Sequence, residues 1–266
     1  MYKSLDIIKS LKYCGVQKGD ILFSHSNIGF WGSPEGVYDK EEICKLILEA
    51  IFEVIGQKGT LVVPTYTYSF GSGSLEKVFS VKNCHSKMGV FAEYIRMHPD
   101  SHRSADPMLS VAAIGANAKS LTADVSDICF GSGSFWDRFY KAKGKVCNIN
   151  FDAGSTFIHY VEKCLGISYR KEINFTGVVI NKNECIKNIS YFGRDLNSID
   201  SKPCFEMFSK LAVLKKYAKN AEVGRGQVTV ITSEDTFSLI KSTLLTEPSF
   251  LIEKGRKCAN RGRKNL

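Results

Sequence analysis

The sequence has no C-x-x-C pair, although nine cysteines are scattered through its 266 residues. That excludes a zinc ribbon or a thioredoxin-like redox site. Irregular spacing and apolar flanks suit small buried hydrophobes kept as thiols. Long apolar runs are also missing, with nothing near the roughly 18 consecutive apolar residues of a membrane span. The opening MYKSLDIIKSLKYCG intersperses charges and has neither an apolar core nor a small-residue cleavage site, so it is not read as a signal peptide. Leu5, Ile8 and Leu11 are instead spaced like one helix face. The expected compartment is the cytoplasm, and no membrane is expected as a partner. Histidine is scarce, at five residues. His98 and His102 are interrupted by Pro99, Cys84 and His85 are adjacent, and there is no H-E-x-x-H, so no metal is expected. The glycine-rich GSPEG, FGSGS and GRG match neither a phosphate-binding loop nor a dinucleotide fingerprint, and G-x-S-x-G is absent.

What remains is an ordinary globular composition, 44% hydrophobic and 24% charged. The formal charge of +9 is unevenly spread. Six of the 36 basic residues lie at 254–266 with no acidic residue beside them, which leaves the other 253 residues only about +3. The tail KGRKCANRGRKNL reads as a solvated basic terminus. It has no aromatic to stack on bases, so no nucleic acid is expected as a partner.

Short β-branched runs at 20–26, 60–67, 109–115, 145–151 and 225–233 read as strands. Helical patterns at 40–56, 88–98, 134–142, 204–220 and from Ser233 towards Pro248 alternate with them. Residues 167–195 carry turn signals at Thr176-Gly177 and Asn181–Asn183 and read as antiparallel β. The expectation is an α/β protein with a mixed central sheet flanked by helices. It forms one domain over 1–266, with a β-rich insertion at about 167–202 and a flexible basic tail at about 254–266. Exposed aromatics in the insertion would permit a homodimer.

Three segments carry chemistry-bearing residues at strand ends or helix starts. SHSNIGFWG holds His25, Ser26, Asn27 and Trp31; MGVFAEYIR puts Glu93 on an apolar helix; STFIHYVEK puts His159 and Glu162 three apart behind the caps Ser155 and Thr156. A carboxylate among apolar neighbours needs a partner, and a histidine supplies one. His159 is thus either a working acid/base or a polar residue on a capped surface helix.

The ordered series HSNIGFWG, GTLVVPTYT, MGVFAEYIR, RSADPMLSVAAIG, FGSGSFWDRFY, GKVCNI and STFIHYVEK resembles the antibiotic N-acetyltransferase family, the aminoglycoside 3-N-acetyltransferases and their relatives. Their α/β fold is neither GNAT nor left-handed β-helix. The resemblance implies acetyl-CoA as co-substrate, with His159 as general base and Glu93 orienting it. It also implies that His25, Ser26, Asn27 and Ser110 line the pantetheine and thioester end. Arg103 is assigned to a phosphate or to structure. Where the family usually has a histidine, this chain has Asp106, either an acceptor contact or a turn cap before Pro107. The aromatics of TYTYSF (65–70), Tyr66 among them, together with Trp31 or Phe135-Trp136, are suited to stack on a thymine or uracil ring of the acceptor.

The mildly basic body suits an anionic acceptor better than a polycation. The reading favoured at this point is acetyl transfer to a nucleotide-linked, dTDP-type amino sugar for surface polysaccharide. The alternative is an aminoglycoside 3-N-acetyltransferase conferring resistance.

Overall fold

In the central sheet, successive residues of each strand are buried on opposite faces. Leu22, Leu61, Val63, Ala112 and Ile114 join one apolar cluster, whereas Phe23, Val62, Val111, Ala113 and Val146 join the other. Both faces are therefore covered, which explains why these strands read as short continuous apolar runs rather than as alternating ones. The computed structural model describes residues 1–71, 73–195 and 201–253. The expected basic tail at 254–266 lies outside them.

The strands of this sheet are β1 (Ile21–Phe23), β2 (Thr60–Pro64), β4 (His102–Arg103), β5 (Val111–Gly115), β6 (Lys145–Ile149), β9 (Lys219–Val223) and β10 (Gly226–Thr232). Their spatial order is β4-β5-β2-β1-β6-β10-β9. The central β2, β1 and β6 run parallel, and the outer strands pair antiparallel. Helices α1 (Ser4–Tyr13), α2 (Lys40–Ile55) and α3 (Val90–Met97) cover one face. The other is covered by α4 (Ala118–Thr122), α5 (Phe135–Lys141), α6 (Phe157–Cys164), α7 (Glu206–Leu214) and α8 (Ser233–Leu244). The expected mixed sheet flanked by helices is what the chain forms. No helix among the described residues is long and apolar enough to cross a membrane.

Helix boundaries follow local chemistry. Asp39 Oδ1 accepts from the backbone N–H groups of Glu41 and Glu42 to open α2, and Gly56 closes it at φ +64°. Thr232 rather than Ser233 caps α8, accepting from the N–H of Asp235. In α1 the buried face is Ile7, Ser10 and Leu11, and Leu5 is exposed, one position out of phase with the expected stripe. The expected helix at 204–220 is two elements. α7 stops at Leu214, Lys216 turns the chain at φ +62°, and Lys219–Val223 is the sheet's edge strand. That strand, KNAEV, is too polar to alternate, a common trait of solvent-facing edges. Among the described residues seven cysteines are free thiols.

The β insertion is a hairpin of β7 (Arg170–Asn181) and β8 (Asn183–Arg194), extended by β3 (Val78–Ser80), which runs parallel to β7. The chain reverses at Lys182, φ +64°. Thr176-Gly177 is not a turn but lies inside β7. A Cβ on Gly177 would sit 2.4 Å from the Lys77 carbonyl and 2.6 Å from the Phe70 ring, so glycine there permits close approach to the segment leading into β3. Gly177→Ala should cost about 1–3 kcal/mol by forcing these groups apart. Lys182→Gly, which relieves a left-handed residue, should be neutral or stabilising. Paired denaturant melts would show both; an unchanged midpoint for Gly177→Ala would refute the close-approach account.

Candidate active site

The parallel strands β2, β1 and β6 all point the same way, and the segments leaving their carboxyl ends carry most of the chemistry-bearing residues. His25 and Ser26 follow β1, Tyr66 follows β2, and Thr156 leads from β6 into α6. His25 Nε2 lies 3.4 Å from Thr156 Oγ1, and its ring meets Tyr66 and Phe151 edge-on at 6.4 and 6.2 Å. The loop is held from below. Asn148, 0% exposed, accepts from the His25 N–H and donates to the carbonyls of Asp152 and Gly154. Asn150 Nδ2 donates to the Asn27 carbonyl. The Ser26 and Ser155 hydroxyls are buried without a hydrogen-bond partner among the described residues.

His159 lies in the first turn of α6, largely buried, its ring against Phe130 at 6.0 Å and Phe205 at 5.5 Å. Its Nδ1 lies 2.6 Å from Glu162 Oε2, one helical turn on. Glu162 is fully buried, and its other oxygen accepts from the Tyr169 hydroxyl at 2.9 Å. Arg170, at the start of β7, brings Nε to 2.6 Å from Oε2 as an ion pair without aligned hydrogen-bond geometry. Burial pushes the Glu162 carboxyl up, but His159, Arg170 and Tyr169 together outweigh it and hold it below the usual carboxylate range. An ionised Glu162 accepts a hydrogen bond from Nδ1–H, and in the tautomer this favours the lone pair lies on Nε2. Arg170 adds a permanent positive charge beside the carboxylate.

Glu93 is not the partner of His159. Its carboxylate accepts from Arg96 Nε at 2.8 Å and Nη2 at 2.6 Å and from the Ser86 N–H at 2.8 Å, and it meets His85 Nδ1 at 2.9 Å. The hydrogen bonds from Arg96 are the largest cause of a pKa held down at about 2. The need of an acidic residue for a partner was legible in the sequence. The partner was misassigned because Arg96, one turn away on α3, already satisfies it. The i,i+3 spacing of His159 and Glu162 was the signal for the correct pair.

Other expected site residues divide. Tyr66 and Asp106 lie close enough to influence one another electrostatically, and Tyr191 from β8 joins them, a residue not marked out by the sequence. Trp31 is a correction: 1% exposed, it packs edge-on against Tyr2 and donates to the Gln227 carbonyl, in the apolar cluster on the opposite face of the sheet. Ser110 is 0% exposed and donates to the Thr65 carbonyl. Arg103 donates to the carbonyls of Thr65, Val81 and Cys84 and to the Thr65 and Ser110 hydroxyls, and stacks over Phe79. Both therefore bind this chain's own backbone rather than facing a cofactor. Among the described residues no group of three His, Cys, Asp or Glu side chains could hold a metal ion.

Glu93→Gln separates a structural from a catalytic carboxylate. With the folded pKa depressed, the stabilisation from Glu93 is complete above about pH 4.5 and lost as pH falls towards about 2. The gap in stability between wild type and Glu93→Gln should be widest near neutrality and close across that window, while kcat stays within about threefold of wild type. A large loss of kcat with unchanged stability would restore Glu93 to the chemistry.

The family model of the aminoglycoside 3-N-acetyltransferases matches residues 35–244. Aminoglycoside N(3)-acetyltransferase III of Salmonella sp. is 22% identical over 200 residues, covering 69% of this chain and 68% of the relative. AAC-IIIb, solved as a binary complex with CoASH, superposes with TM-score 0.76 at 18% identity over 91% of this chain and 96% of its own. AAC-VIa bound to sisomicin superposes with TM-score 0.76 at 21% identity, over 91% and 97%. These relatives are aminoglycoside acetyltransferases, and that overturns the expectation of a nucleotide-linked amino sugar as acceptor. The inference failed because it read a local preference from net charge, which acts on long-range steering and is screened within about 10 Å. From the 35–244 match, the chain belongs to the aminoglycoside 3-N-acetyltransferase family.

Proposed function

We propose that the chain transfers an acetyl group from acetyl-CoA to an amine of an aminoglycoside, with His159 as general base. The observation that carries this reading is the 2.6 Å contact between His159 Nδ1 and the buried Glu162. An aminoglycoside ammonium is not nucleophilic; an Nε2 lone pair on a fixed, neutral imidazole removes its proton. The amine nitrogen then attacks the thioester carbonyl carbon. The N–C bond forms and the C–S bond breaks; of the two protons the ammonium loses, one is passed by Nε2 to the departing thiolate and the other is released to solvent. Glu162 orients the ring and stabilises the imidazolium formed in between, as the acid of a catalytic triad does.

The loop His25–Asn27 and the start of α6 are the proposed pantetheine end. Support comes from the buried, unpartnered hydroxyls of Ser26 and Ser155, which are suited to donate to a thioester oxygen as charge develops on it. A related fold solved with CoASH adds to this.

The test is a thiol-release assay with acetyl-CoA and an aminoglycoside, with mass spectrometry of the product. His159→Ala and Glu162→Gln should each lower kcat by about 10²- to 10⁴-fold, with the KM for acetyl-CoA little changed. Glu162→Gln should also shift the acid limb of the kcat–pH profile, which a purely structural role would leave in place. Full kcat in a folded Glu162→Gln variant would refute the dyad.

A further inference from the structure

Asp106 lies in the segment joining β4 to β5, where its carboxylate is fixed but not neutralised. Oδ1 accepts from the backbone N–H groups of Met108 and Leu109, both at 2.8 Å, and from the Cys129 thiol at 3.8 Å. None of the described hydrogen bonds reaches Oδ2, and no described ion pair includes Asp106. The nearest other acid acting on it, Asp127, is already engaged by Lys187 at 2.6 Å and only adds to the negative field. Burial pushes the Asp106 carboxyl above the usual range. A desolvated carboxylate without a cation is costly, and folding tolerates it only where the turn N–H groups or an external charge offset the penalty.

The groups around it are aromatic and hydroxylic. Tyr66 is 2% exposed, and its hydroxyl has no aligned hydrogen-bond partner although Thr156 is within reach. Both Tyr66 and Tyr191 feel the Asp106 charge, and the Tyr66 ring meets Tyr68 at 6.0 Å. The connection to the chemistry is short. Cys129 precedes Phe130, whose ring lies 6.2 Å from Tyr191 and 6.0 Å from His159.

We propose that Asp106, with Tyr66 and Tyr191, is an ammonium subsite that holds a second, non-reacting amine of the acceptor. This rests on the acetyltransferase reading above and specifies how the acceptor is held. An ammonium supplies three N–H donors. They fit Oδ2, the orphaned phenol oxygen of Tyr66 and the π-faces of the tyrosines. The site then treats two amines of one molecule in opposite ways. The amine at His159 must lose its proton to a neutral imidazole, and the amine at Asp106 must keep its charge to bind a carboxylate. Acceptors with several amines are favoured, and the spacing between the two groups selects which amine is presented to Nε2.

Asp106→Asn tests this, because the amide oxygen still accepts from Met108 and Leu109 while the charge is removed. With neamine as acceptor, KM should rise about 10- to 100-fold, the range for loss of a charge-assisted hydrogen bond. kcat and the KM for acetyl-CoA should stay within about threefold. Glucosamine, with a single amine, should bind wild type and variant equally weakly. Tyr66→Phe, which keeps the ring, should raise the neamine KM by a smaller factor and gives an independent reading should Asp106→Asn fold poorly. Calorimetric titration of neamine, which needs no turnover, separates this subsite from the reaction. Neamine that binds in an Asp106-dependent way without being acetylated would support the subsite and overturn the proposed reaction. Acetylation with the same neamine KM and affinity in both variants and wild type would overturn the subsite and leave the reaction standing. No binding of neamine to the wild type would overturn the subsite as well.

Discussion

The site depends on one buried carboxylate. Glu162 has no access to water, and its two oxygens are shared among an imidazole, a guanidinium and a phenol. Each partner comes from a different place in the chain: His159 from the same helix, Tyr169 from the connection that follows, and Arg170 from the first residue of the β insertion. A lone ionised glutamate there would be several kcal/mol too costly to keep. The network makes the charge tolerable and at the same time fixes the one ring whose orientation matters. It also explains why the β insertion is part of the site rather than an ornament. Its first residue supplies a cation that helps Glu162 stay ionised.

The sheet does the rest of the positioning. Three parallel strands in the middle of an otherwise antiparallel arrangement deliver three loops to one edge, and these carry His25, Tyr66 and Thr156. Beneath them Asn148 and Asn150 bond backbone groups of the neighbouring loops, so the loops are held by the core rather than by their own turns. On the other side of the sheet Trp31 and Tyr2 form packing that has no part in the site. Two residues six positions apart, His25 and Trp31, thus have unrelated roles, because a short 3₁₀ turn at Ile28–Trp31 carries the chain from one face to the other.

Charge misled where it was averaged. The excess of lysine and arginine over the whole chain pointed to an anionic acceptor, yet the groups in direct contact at His159 are set by the buried Glu162 and its partner Arg170. Net charge governs solubility and long-range steering, and the recognition of an amine a few ångströms away is set by the nearest one or two groups.

The alternation of apolar strands with amphipathic helices was legible from residue types, because burial on both faces of a sheet and on one face of a helix leaves a periodic trace. So was the i,i+3 spacing that sets Glu162 beside His159. The antiparallel insertion was legible as well, but not its single reversal at Lys182 or the role of Gly177, which depends on a carbonyl a hundred positions earlier. The edge strand Lys219–Val223 left no trace, since an edge exposed to water has no need of apolar alternation. The partners of Glu93 and Glu162, the burial of Trp31 and the consumption of Arg103 by three carbonyls were decided only by the tertiary structure. A sequence records that a charged or aromatic side chain needs a partner, and only the path of the backbone brings one within the three ångströms over which a hydrogen bond acts.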